Sequence, residues 1–246
     1  LHKKGMALYS EASGVALEIP EDTLLNKSYI DIPMGEFWVH ALHPESMYYV
    51  DVRAAASAAH VYGKPIVATE SYTAGGYESP YTYKKIADYW FTQGVNRLCF
   101  HDTALQPLDT KPGNTMAGTN LNRNMTWAEL AKPFMTYIAR VSYMLQQGDP
   151  VADIAYLLPQ CAPSTMPFWA DGLQPAPPQG YDYDVLNADV LLHRTSVTPN
   201  GSIHVEGSAT MPDGMTYRLL VLPPTTLMTP EVLRKLHELV EAGATI

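Results

Sequence analysis

The sequence predicts an α/β fold: the C-terminal half of a (β/α)8 TIM-type barrel over residues 1–148, then a small α/β domain, truncated at its C-terminus, over residues 149–246. Three observations predict it. Short β-type runs alternate with helical stretches through the first half, and the helices close on Gly63, Gly94 and Gly148. Glu11, Glu36, Glu70 and His101 each fall near the end of a strand candidate, at steps of 25, 34 and 31 residues. A barrel of about 250 residues repeats at roughly 30 residues per unit and places its chemistry at the C-terminal rims of its strands. Near Val151 the texture changes, with a proline-rich stretch at 159–178 separating a second set of shorter units.

Taken in order, residues 5–9 and 29–33 read as strands. Residues 44–62 read as a helix that Ser46 can cap, with Val50, Ala54, Ala58 and Val61 at helical spacing. The buried run 65–69 is the next strand, 82–93 a helix, 96–100 a strand and 126–147 a long helix. The loop between the last two, 102–125, has the length of a lid or binding loop. In the second unit 151–158 reads as a strand, 181–192 as a helix, 203–205 as a short strand, 211–214 as a turn and 218–222 as a buried strand. Thr229 caps a last helix that has Pro230 at its first position and runs to Ala242.

Composition narrows the function classes. Of 246 residues, 46% are hydrophobic and 17% charged, enough apolar material for a sizeable core. The net charge of -9, without any basic stripe, argues against a nucleic-acid partner, which needs Lys and Arg to neutralise phosphates. No window approaches eighteen consecutive apolar residues, so no membrane span is predicted. Cys99 lies in an apolar run and reads as a buried small residue; a disulfide with Cys161 stays open. The chain begins at Leu1 without an initiator methionine or signal peptide and stops where a new strand begins, so both ends read as cut. Half a barrel leaves an unpaired strand edge and an open core, so residues 1–246 alone are expected to be poorly soluble or loosely packed.

The candidate chemistry is carboxylate chemistry. Glu70 ends an apolar run and is followed by hydroxyls and the pair Gly75-Gly76, a setting for a general base or nucleophile. Glu36 stands two residues from Trp38, an acid beside a ring that can stack on a pyranose; a solvated Glu36 and a core Trp38 are the competing reading. Cleaving a glycosidic bond takes two carboxyl groups, one to protonate the leaving oxygen and one to activate water or attack directly. Glu11, Tyr72, His101, Gln106 and Trp127 are the further substrate-binding candidates, with Asn120, Asn122 and Asn124 in the same long loop. Tyr72, Tyr77, Tyr81 and Tyr83 read as a sugar-facing rim; helix packing competes for Tyr81 and Tyr83, and for Trp127. One His and one Asp at 101–102 do not make a metal-ligand set, and metal ligands stay unassigned. Gln160-Cys161-Ala162 lacks the glycines of a nucleophile elbow.

Several ordered motifs carry a resemblance that spans nearly the whole chain. They are DIPMGEFW at 31–38, ATESYT at 68–73, GVNR at 94–97 leading to Phe100-His101, RNMTW at 123–127, YMLQQG at 143–148, GYDYD at 180–184 and PDGMTYRLLVLP at 212–223. Together they resemble the α-L-rhamnosidases of glycoside hydrolase family 106. The resemblance implies a secreted or periplasmic bacterial enzyme that removes terminal L-rhamnose from plant polysaccharides or glycosides with inversion, using calcium at the sugar. Carried over by motif, Glu70 would be the leading catalytic base and Glu36 a second active-site carboxylate sharing or holding that role. The general acid would lie upstream of Leu1, leaving residues 1–246 inactive alone. The domain after Gly148 resembles the amidotransferase-like, flavodoxin-like domain of several glycosidase families, without its nucleophile. A glycosidase of another barrel family, such as a β-galactosidase-like enzyme, and a catalytically silent carbohydrate-binding protein are the alternatives.

Overall fold

A computed structural model of the chain describes residues 1–12, 21–39, 51–103, 121–161, 164 and 172–246. Its first sheet contains β1 (Tyr9–Ser10), β2 (Ile32–Trp38), β3 (Ala68–Thr73) and β4 (Arg97–Phe100), all parallel and adjacent in chain order. Between and after them run α1 (Thr23–Ser28), α2 (Asp51–Tyr62), α3 (Pro80–Thr92) and α4 (Lys132–Leu145). The only helix described between β1 and β2 is the six-residue α1, in keeping with the short 25-residue step. Ser46, Val50 and most of the 102–125 loop lie outside the described residues.

The second half holds β5 (Ile154–Leu157), β6 (Tyr183–Leu186), α5 (Ala188–Arg194), β7 (Thr195–Val197), β8 (Ile203–Val205), β9 (Met215–Tyr217), β10 (Leu219–Val221) and α6 (Pro230–Glu241). A parallel sheet runs β10-β5-β6, beside an antiparallel meander β7-β8-β9. This is a mixed α/β architecture with parallel sheets.

Some strands are displaced from their expected places. β3 starts at Ala68, not Pro65, because Asn96 takes over the backbone just ahead of it. Its Oδ1 accepts the Val67 N–H and its Nδ2 donates to the Pro65 carbonyl, each at 2.9 Å. Residues 183–186, expected as the start of a helix, form a fully buried strand instead. Asn187 ends it by capping α5, its side chain accepting the Val190 N–H at 3.0 Å. Thr229 caps α6 as expected.

The placement of α2 fixes the architecture. Ala54, Ala55, Ala56, Ala58 and Ala59 are fully buried, and this narrow helix packs against β2 on one side and β6 on the other. Gly94 turns in front of it at φ +99, where a Cβ would stand 2.9 Å from that of Ala56. One core holds Leu24, Ala54, Ala58 and Val61 together with the second-half strands and α6. A second core, of Phe37, Tyr72, Tyr83, Trp90, Phe91 and Phe134, lies behind the first sheet under α3 and α4.

Polar groups cross between the halves as well. Asp184, fully buried on β6, accepts from Ser57 Oγ at 2.8 Å and Tyr217 OH at 2.9 Å and pairs with His60 Nδ1 at 3.0 Å. Burial pushes its carboxyl up, but His60, Arg53 and Ser57 outweigh that and hold it below the usual carboxylate range. Arg53 donates to Asp182 and to the Tyr183 carbonyl, and lies 4.3 Å over the Tyr183 ring.

Candidate active site

Strand alternation builds the site from the first sheet. Met34 and Glu36 share the face of β2 opposite the one that carries Phe37 into the aromatic core, and Trp38, packed at the edge of that core, reaches Glu36 with its indole N–H. The register then aligns Glu36 with Glu70 on β3, and Glu70 with Cys99 on β4. These three residues form one row across three strands. A cleft of about 540 Å³ opens at the Glu70 and Cys99 end of it, lined also by Tyr9, Ser10, Glu11, Met34, Phe100, His101 and Asp102.

Both central carboxylates have fixed donors. Trp38 Nε1 donates to Glu36 Oε1 at 2.5 Å, and Thr73 Oγ1 donates to Glu70 Oε1 at 2.5 Å. Burial lifts the Glu36 carboxyl to about 7, with the Trp38 indole opposing the rise. The charges of Glu70 and Glu11 and a hydrogen bond shared with Glu70 lift it further. His101 Nε2 stands 3.9 Å from Glu70 Oε1, and its backbone N–H is held by the Ser71 carbonyl at 2.8 Å. His101 Nδ1 and Asp102 Oδ1 are buried without a protein partner, so both have hydrogen-bonding capacity in reserve at the cleft edge. Burial, a hydrogen bond to Cys99 and the charges of Glu11 and Glu70 raise the Tyr9 hydroxyl, which stays a proton donor at neutral pH.

Of the residues singled out from sequence, Glu11, Glu70 and His101 line the cleft, and Glu36 and Trp38 stand together just behind it. Glu36 and Glu70 lie inside their strands, not beyond them. Tyr72, expected at a sugar-facing rim, is a correction: it is 1% exposed, stacked on Phe100 and edge-on to Phe37 and Tyr83, with its hydroxyl donating to the Tyr83 carbonyl. The strand register shifts between Phe37 and Trp38, and Tyr72 has φ +69, so alternation breaks and its ring turns to the helix side. Trp127 likewise packs away from the cleft, edge-on to Phe134, with its indole donating to the Glu78 carbonyl. Gln106 lies outside the described residues.

Tyr9 and Cys99 were missed. Their signal was parity: each stands two residues before a residue already chosen, Glu11 or His101, and so on the same strand face. Cys99, expected to be buried, is exposed on this face, and both cysteines are free thiols. Among the described residues no group of three or more His, Cys, Asp or Glu is arranged to hold a metal ion.

Comparison with known proteins places this geometry in a family. The family model described as alpha-L-rhamnosidase, of glycoside hydrolase family 106, matches residues 1–246. The solved structure of a rhamnosidase from Novosphingobium sp. PP1Y superposes with a TM-score of 0.73 at 34% identity, covering 91% of this chain and 21% of that one. A Formosa agariphila protein named "Putative beta-glucuronidase" is 36% identical over 220 residues, 88% of this chain and 18% of its own length. The chain thus spans about a fifth of the length of these relatives. With the family match running from end to end, the chain belongs to glycoside hydrolase family 106, the α-L-rhamnosidases.

Proposed function

We propose that the longer protein to which this chain belongs is a glycosidase that removes terminal α-L-rhamnose from plant polysaccharides or glycosides, with inversion at the anomeric carbon. The observation that carries the proposal is the row Glu36–Glu70–Cys99, with Glu70 and Cys99 lining a cleft and the Glu36 carboxyl beside Glu70 raised towards neutrality. Such tuning is characteristic of groups that exchange protons in a reaction.

The geometry also divides the labour. An inverting enzyme needs its acid and base roughly 6.5–9.5 Å apart, with the sugar and a water between them. Glu36 and Glu70 are direct register partners on adjacent strands, with side chains on one face, and are too close to face each other across a glycosidic bond. They act on one side, as a base unit. Glu70, open to the cleft, takes the proton of the attacking water, and Glu36 behind it tunes and shares that proton. The acid that protonates the departing oxygen comes from outside residues 1–246. His101, Glu11 and the Tyr9 hydroxyl hold sugar hydroxyls, and Trp38 fixes Glu36.

The same proposal reads β1–β4 as four successive strands of a (β/α)8 barrel, supported by their parallel order and by the row of two half-buried carboxylates and an exposed thiol on one face. It reads residues 149–246 as an amidotransferase-like, flavodoxin-like domain. In order of appearance β6-β5-β10 is 2-1-3, and the Leu220 N–H donates to the Thr245 carbonyl at 3.1 Å beside β10, as a fourth strand would accept it. Calcium enters the proposal only through the family, with no ligand assigned to a numbered residue. A periplasmic or secreted location belongs to the proposal too; no helix among the described residues is long and apolar enough to cross a membrane.

The test is a panel of aryl glycosides offered to the full-length protein. Turnover of the α-L-rhamnopyranoside, with the β-D-glucuronide and β-D-galactoside left intact, is the expected result. Turnover of either of the others in its place would retain a glycosidase and reject the rhamnose assignment. The β-glucuronide is included because of the name of the Formosa relative. Repeating the assay with a chelator tests calcium: the expected outcome is a loss that added calcium restores.

A further inference from the structure

Lys27, on α1, is fully buried. Its ammonium donates to the backbone carbonyl of Glu11, just past β1, and to that of Met34 on β2 at 2.9 Å. A buried ammonium is tolerated only where acceptors replace water. Here two of those acceptors are the main chains that carry Glu11 and Glu36 into the site.

The helix bearing Lys27 is itself held at both ends. Asp22 caps its start, accepting the Leu25 N–H at 3.0 Å, and also accepts Asn187 Nδ2 from the second half at 2.9 Å. Lys64, just beyond α2, donates to the carbonyls of Lys27, Ser28 and Ile30 at its end. Six residues make a marginal helix alone, so these clamps fix where the Lys27 ammonium stands.

Glu11 needs such an anchor. The β1–β2 ladder has two register pairs, Tyr9 with Ile32 and Ser10 with Pro33, and stops before it. We propose that Lys27 is a positioning residue for the cleft: by tying the Glu11 carbonyl to β2, it sets the Glu11 carboxylate beside the Glu36–Glu70 pair. The inference rests on the glycosidase reading and adds to it how the site's third carboxylate is held. It also gives the second half a part in the cleft, through Asn187, Asp22 and α1.

A double-mutant cycle in the full-length protein tests it, comparing wild type, Lys27→Met, Glu11→Ala and the pair on the aryl α-L-rhamnoside. If Lys27 works through Glu11, Lys27→Met lowers kcat/KM about tenfold alone and less than about twofold in the Glu11→Ala background, a coupling of ordinary size for contacting residues. The pH profile supplies a readout that lost packing would not move. The groups acting on Glu36 are Glu70 from β3, Glu11 from the end of β1 and the Trp38 indole on its own strand. Glu11 raises it, so releasing Glu11 shifts the acid limb to lower pH in Lys27→Met, as it does in Glu11→Ala. Lys27→Arg, which keeps a donor for both carbonyls, retains the wild-type limb. Should Lys27→Met fail to fold, Lys27→Gln carries the same cycle. Additive losses with an unmoved limb, in an active wild type, would overturn this inference alone. A wild type that neither turns over nor binds any glycoside would overturn the glycosidase reading and this with it.

Discussion

Glu36 shows how opposing local forces set a single group. Burial and two neighbouring negative charges push its carboxyl up to about 7, while the Trp38 indole pulls it down. Because the base unit works only after losing its proton, kcat/KM of the full-length enzyme is expected to rise with pH through an acid limb near 7. Glu11→Gln removes a charge that disfavours ionisation, so it should move the limb to lower pH. Trp38→Phe removes a donor to the carboxylate, so it should move the limb up. A pH–rate series on the two variants checks both signs; shifts in the same direction would contradict this electrostatic picture.

The sequence carried part of this. Glu36 and Glu70 were legible from the barrel-like spacing and the hydroxyl- and indole-rich flanks, and Trp38 from its nearness to Glu36. Tyr72 was not legible. By alternation it belongs on the Glu70 face, and no residue type announces the bulge at φ +69 that turns it into the aromatic core.

At the scale of elements, helices were read better than strands. Thr229, Gly63 and Gly94 punctuate helices by chemistry local to the sequence. Strand limits depend on partners far along the chain: Asn96 sets where β3 begins, 31 residues after Pro65 whose carbonyl it binds. Residues 183–186 were misread as helical because a short, wholly buried strand lacks the alternation that identifies an amphipathic one. The packing of α2 between two sheets rests on its alanines, which admit no larger side chain. Ala58→Leu should destabilise the protein by about 1–3 kcal/mol, the range for overpacked cores, as read by denaturant midpoint. An unchanged midpoint would mean that α2 has room on a face drawn here as closed.

For the whole molecule, the division at Gly148 is clearer along the chain than in the core. α2 belongs by sequence to the first half, yet Ala54, Ala58 and Val61 pack in the second-half core, and Ser57, His60 and Arg53 satisfy or flank Asp184. Asp184→Ala takes the buried acceptor from Ser57, His60 and Tyr217 and one neighbouring carboxylate from Arg53, and should cost about 3–5 kcal/mol, read from denaturant unfolding near neutral pH. The wild-type carboxyl is depressed in the folded state, so its contribution is complete above the unfolded-state value of about 3.8 and fades as pH falls through the folded one. The stability gap between wild type and variant should therefore narrow in strong acid; a gap independent of pH would assign the loss to packing instead.

The claim that most depends on all three scales is that Glu70, at the middle of the row and open to the cleft, is the base. It is tested most directly by release of 4-nitrophenol from 4-nitrophenyl α-L-rhamnopyranoside by the full-length protein, wild type against Glu70→Gln. A loss of about a hundredfold or more in kcat, with the melting temperature retained, is the scale of a missing general base and is the result predicted. A folded Glu70→Gln enzyme with near wild-type turnover would contradict it.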